Sequence, residues 1–113
     1  MRPIHALAAL LVGLLSATSA PADEVAELLN VIQSDEASDN DRANAFEAIG
    51  DIAGPEAVEP LAEFLDDEKW SHYARFALQK MEGEAVVAAL LESLENLEGE
   101  LKLGVIGTIG RRR

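Results

Sequence analysis

The stretch ANAFEAIGDIAGPEAVEPLAEFLDD, Ala43 to Asp67, contains both kinds of helix from which the fold is built and the corner between them. Ala45, Ala48, Ile49 and Ile52 fall at i, i+3, i+4 and i+7, the apolar stripe of an amphipathic helix, with carboxylates on the other positions. Gly54 and Pro55 then punctuate the chain: a glycine ends a helix cheaply, and a proline fits the first turn of the next, where its missing N–H costs nothing. Val58, Leu61, Ala62 and Leu65 repeat the same spacing in a second helix.

Outward from this stretch both helix types recur. The second matches Val25, Leu28, Leu29 and Ile32 at an offset of 33 toward the N-terminus, and Val87, Leu90, Leu91 and Leu94 at an offset of 29 toward the C-terminus. The first matches Ala74, Ala77, Leu78 and Met81 at an offset of 29, and the last three of these match Val105, Ile106 and Ile109 at 28. Alternating amphipathic helices with a period near thirty predict an all-α fold, an α-solenoid of about three antiparallel helix pairs over residues 23–113. No run shows the period-two alternation of a half-buried strand. One pair cannot bury enough apolar surface to offset the entropy of ordering it, so the opposite stripes, with Phe46, Phe64 and Phe76, are expected to bury against the adjacent repeats. Asp39 or Asn40 is the expected N-cap of the Ala45 helix, and Gly54 and Gly83, equivalent by the repeat, are both expected to supply a left-handed corner.

The first residues follow a different logic. Arg2, the uncharged run Ala6 to Leu15 and the small, polar Ser16 to Ala22 have the three-part layout of a secretory signal peptide over residues 1–22, with Ala20 and Ala22 forming an Ala-x-Ala cleavage site. The apolar run is too short for the roughly 20 residues that span a bilayer, so no membrane association is expected after cleavage, and the product is exported, periplasmic or extracellular. Cysteine is absent, which excludes a disulfide framework, a thiolate metal site and a haem-attachment motif. A net charge of −12 repels phosphate backbones and excludes nucleic acid as a partner, while acidic solvent faces keep an exported protein dissolved.

The last helix, Leu101 to Ile109, contains Gly104 and Gly107 and is followed by Gly110; each glycine costs about 1 kcal/mol of helix propensity, and the apolar face has no following helix to cover it. One reading continues the array beyond Arg113. The other has the basic tail, Arg111 to Arg113, cap the stack or contact an acidic partner.

The segments Ala43 to Asp67 and LKLGVIGTIGRRR, Leu101 to Arg113, resemble HEAT-type repeats of the short bacterial kind first described in phycobilisome lyases. WSHYARFAL, Trp70 to Leu78, resembles a segment near the N-terminus of secreted bacterial HEAT-repeat proteins. The resemblance implies stacked helix pairs and little about function, because such repeats serve scaffolds, lyase subunits and enzyme-associated domains alike. Gln79 and Glu82 depart from it, standing where a consensus repeat has glycine and a small or apolar residue.

Trp70, His72, Tyr73, Arg75 and Phe76 form the one cluster of unusual chemistry in a chain that is 4% aromatic. Trp, Tyr and Arg dominate binding hot spots, so Trp70, His72, Tyr73 and Arg75 are the candidate protein-binding residues, with His72, Arg75 and Gln79 on one helix face that the resemblance would place on the inner, concave surface. The structural alternative has the aromatic rings packing between repeats while His72 and Arg75 bond a loop carbonyl or Asp66, Asp67 and Glu68. Ser34 to Asp41, SDEASDND, lacks the glycine and the closing glutamate of a calcium loop and reads as a solvated linker with a cap. His72 has no cysteine partner, Ser71 beside it faces another way, no glycine-rich phosphate loop occurs, and the His-Glu pair that builds the di-iron site of HEAT-type hydroxylases is missing. The expectation is therefore a non-enzymatic scaffold without cofactor or metal that binds another protein. The alternative is the N-terminal helical array of a larger exported enzyme or cytochrome-type protein.

Leader removal is checked by intact-mass analysis of exported material, which is expected to show a chain beginning at Asp23. A mature product retaining Arg2 would contradict it.

Overall fold

Ser38, and not Asp39 or Asn40, caps the helix that carries the Ala45 stripe. Its hydroxyl accepts a hydrogen bond from the Asp41 N–H at 3.0 Å, the usual reach of an N-cap side chain to the third helical residue. Asp39 and Asp41 lie inside the first turn, where their carboxylates favour the positive end of the helix dipole. The computed structural model describes residues 21–112, and these are helical with no strand: α1 Pro21–Gln33, α2 Asp39–Ile52, α3 Val58–Ala62, α4 Ser71–Lys80, α5 Glu84–Ser93 and α6 Gly99–Arg111, with 3-10 turns at Pro55–Ala57 and Leu94–Asn96. The expected leader, residues 1–22, lies outside the described residues except for its last two, which belong to α1.

Helix α1 packs on α2, α3 on α4 and α5 on α6, while α2, α4 and α6 lie side by side and α3 lies beside α5. The pairs are thus stacked, as the thirty-residue period requires. One continuous core runs through them, with Ile32, Phe46, Leu61, Leu78, Leu90 and Val105 fully buried. Phe46 is its centre. The ring stacks on Trp70 (centroids 5.8 Å apart) and on Tyr73 (6.1 Å), and meets Phe64 edge-on at 5.4 Å. Arg42 closes the cluster, its guanidinium 4.5 Å from the Trp70 ring and its Nε donating to the Ile32 carbonyl at 3.0 Å. Each aromatic pair is worth about 0.5–1.5 kcal/mol beyond its buried area.

Several register assignments change. Ala48 and Ile52 of α2 face solvent because the buried face is shifted by a residue, to Ala45, Phe46, Ile49 and Gly50, and Ile106 of α6 is exposed as well. In α5 the buried pair is Val86 and Leu90, while Leu91 is 50% exposed. The aliphatic run there is wide enough to permit either phase, and packing against α3 and α6 selects the one shifted by a residue. Of the three phenylalanines expected between repeats, Phe46 is buried and Phe64 partly so, but Phe76 is 44% exposed with the Lys80 ammonium 4.8 Å from its ring. The two corner glycines also differ. Gly83 has φ of +113°, a conformation L side chains rarely adopt, whereas Gly54 has φ of −100° in ordinary extended backbone and precedes the Pro55 turn without needing a left-handed residue.

Leu61→Ala and Leu90→Ala should each cost about 2–5 kcal/mol, and Leu91→Ala less than about 1 kcal/mol, in urea unfolding followed by circular dichroism. Equal effects at Leu90 and Leu91 would refute the phase of α5. Trp70→Ala should cost about 3–5 kcal/mol by the same measurement, the range for a large aromatic in a packed core.

Candidate functional site

The acidic loop before α4 is a structural device. The Asp67 carboxylate accepts the N–H groups of Lys69 at 2.8 Å and Trp70 at 3.0 Å, and the Asp67 carbonyl accepts the Ser71 N–H at 2.8 Å. These bonds satisfy backbone donors that a helix start leaves orphaned and so set where α4 begins. Sequence reading assigned Asp67 no such task; the legible signal was a carboxylate three residues ahead of the tryptophan.

Helical phase then divides the five residues of the aromatic cluster. Trp70 is 5% exposed, enclosed by Phe46, Tyr73 and Arg42, so its expected place on a docking surface is corrected to the core. Tyr73 is half-buried on the same side, against Phe46 and Trp70. His72, Phe76 and Lys80, at i, i+4 and i+8, form the exposed row of α4. Phe76 therefore belongs to the accessible surface, which sequence reading missed because an aromatic at helical spacing resembles core. Lys80 is anchored at one edge of the row by Asp51 at 3.0 Å and the Glu47 carbonyl at 2.8 Å.

Arg75 and Gln79 sit on the side of α4 that meets α6. Arg75 is half-buried; its Nε donates to the Ser71 carbonyl at 3.3 Å, and its guanidinium lies directly against Gly104 of α6. Burial lowers its pKa below the ordinary arginine value and the nearby charge of Arg111 lowers it further, yet a guanidinium stays charged at neutral pH. Neither His72 nor Arg75 pairs with Asp66, Asp67 or Glu68; the ion pairs among the described residues are Lys69–Asp39 and Lys80–Asp51. Arg111 donates from Nε to the Gln79 side-chain oxygen at 3.0 Å. Arg112 donates from Nη1 to the carbonyls of Leu78 at 2.9 Å, Gln79 at 3.4 Å and Met81, where α4 ends. A cation among the terminal carbonyls offsets the negative end of the helix dipole.

Elsewhere, a groove of about 540 Å³ between α3 and α5 is rimmed by Glu59, Glu63, Asp66, Glu92 and Glu95 with no basic residue. No group of three or more His, Cys, Asp or Glu able to hold a metal ion occurs among the described residues, and in the Ser34 to Asp41 segment the Ser34 and Ser38 hydroxyls bond nearby backbone N–H groups while Asp39 pairs with Lys69. No helix among the described residues is long and apolar enough to cross a membrane. The solvent side of α4 thus carries the His72 imidazole and the Phe76 ring, with the half-buried Arg75 guanidinium turned toward α6.

Comparison with known proteins supports a HEAT-like helical repeat. Curated proteins and solved structures yield no match. Residues 41–67, which span most of α2, the Gly54–Pro55 corner and α3, match the PBS lyase HEAT-like repeat, so the chain carries a HEAT-like repeat within its stack of helices.

Proposed function

We propose that this protein is an exported scaffold that binds another protein through the solvent face of α4 and has no catalysis of its own. The observation that carries the reading is the exposed row of His72 and Phe76 bordered by Arg75: an apolar and basic surface in a chain whose net charge is −12. An exposed aromatic ring is a common interface anchor, and Phe76 is 44% exposed with the Lys80 ammonium 4.8 Å from its ring. Export rests on the leader pattern of residues 1–22. Stacked helical repeats suit this work, since each helix adds a strip to one extended surface.

His72→Ala combined with Phe76→Ala tests the reading, because both side chains are exposed and their removal should leave the melting temperature within a few degrees of wild type. Loss of two anchors of about 2 kcal/mol each should weaken partner capture several-hundredfold or more. The measurement compares wild type and double variant in pull-downs from the exported fraction. Equal capture by both would reject α4 as the docking surface.

A further inference from the structure

The two contacts that α4 makes with its neighbours in the stack differ in kind. Against α2, Gly50 brings backbone onto backbone: a Cβ there would lie 3.0 Å from the Ala77 Cα and carbonyl oxygen. Twenty-nine positions on, at the equivalent place facing α6, the residue is Gln79. The glycine appears instead on α6, as Gly104, and the space a side chain would fill there holds the Arg75 guanidinium. A turn later on α6, Gly107 leaves room for Arg111, whose Nη1 is 3.5 Å from where a Gly107 Cβ would be. Positions three apart on a helix are about 5–6 Å from each other, so the two guanidinium groups occupy adjacent turns of one face.

Both groups are held by a single bond to the protein, Arg75 from Nε to the Ser71 carbonyl and Arg111 from Nε to Gln79. No Nη hydrogen bond of either is found among the described residues, and no described carboxylate lies within 4.0 Å of either. In a chain with 21 acidic and 9 basic residues, two neighbouring arginines without an acidic partner run against composition. Their repulsion is relieved if an anion lies between them, and the planar donor fork of arginine matches the paired oxygens of carboxylate and phosphate. The glycines keep side chains out of the approach. Arg112 is not part of this arrangement, since its Nη groups are directed at the carbonyls ending α4. The surrounding negative charge excludes an extended polyanion and leaves room for one anionic group.

We propose that Arg75 and Arg111, held over Gly104 and Gly107, form a binding site for a single compact oxyanion, a carboxylate or phosphate group. The site deepens the docking reading by naming a group that the α4 surface recognises, and it is tested without any partner protein. The full chain is titrated at pH 7 with inorganic phosphate and, separately, with acetate, each against sodium chloride at equal ionic strength, by calorimetry and by melting temperature. One saturable site is expected, with a rise in melting temperature as the anion binds the folded state. Saturation by phosphate alone assigns a phosphate group; saturation by acetate, with or without phosphate, assigns a carboxylate. Arg75→Gln and Arg111→Gln should each weaken binding by about tenfold or more, and the exposed Lys102→Gln should not. Arg111 is exposed, so its variant keeps the fold and remains informative if Arg75→Gln is destabilised. The proposal is overturned if neither anion differs from chloride, or if Arg111→Gln binds as wild type does. Anion binding together with undiminished capture by the His72→Ala and Phe76→Ala variant would reject the docking reading alone.

Discussion

The rest of the structure depends on the enclosure of Phe46. Its ring lies on α2 and touches Phe64, Trp70 and Tyr73, which lie beyond α3, ahead of α4 and on α4, so one side chain ties the second helix to the two elements that follow it. Arg42 extends the tie to α1 through the Ile32 carbonyl and lies over the Trp70 ring. A cation over a desolvated indole is worth about 2 kcal/mol, more than an exposed ion pair such as Lys69–Asp39, whose partners remain largely in water. Short repeats lack a deep core of their own, and this joint makes the first two pairs one cooperative unit.

The same joint explains why an aromatic cluster in the sequence divides into structure and surface. Once Trp70 and Tyr73 are committed to Phe46, the geometry of α4 leaves His72 and Phe76 in solvent and points Arg75 and Gln79 at α6. The α2–α4 contact is then close, with glycine against alanine, while the α4–α6 contact carries the Arg75 and Arg111 side chains. Departure from the consensus at Gln79 has a physical consequence: it replaces a backbone contact with a surface that carries charge.

Arginine does unlike jobs along the stack. Arg42 is a clamp on aromatic rings, Arg112 neutralises the carbonyl end of α4, and Arg75 and Arg111 keep donors free beside glycine backbone. In a chain with 9 basic and 21 acidic residues, these four arginines take positions other than a surface ion pair with a carboxylate. The exposed apolar side chains Leu103 and Ile106 lie on α6 beside this arrangement and enlarge the non-acidic surface of the stack.

Sequence alone determined the helices, their alternation and most of the buried aliphatic positions, because apolar spacing at i, i+3, i+4 and i+7 admits one local structure and a thirty-residue period admits few packings. It also determined that cysteine chemistry has no part, since the chain contains no cysteine. It did not determine which edge of a wide stripe is covered, as Val86 and Leu90 against Val87 and Leu91 illustrate, because two phases separated by about 100° offer the same residue types. Nor did it separate Trp70 from His72 or show Arg75 beside Arg111, 36 positions away. Those outcomes follow from which neighbour each helix face meets, a property of the packed stack, because a side chain's role is decided by what lies across from it.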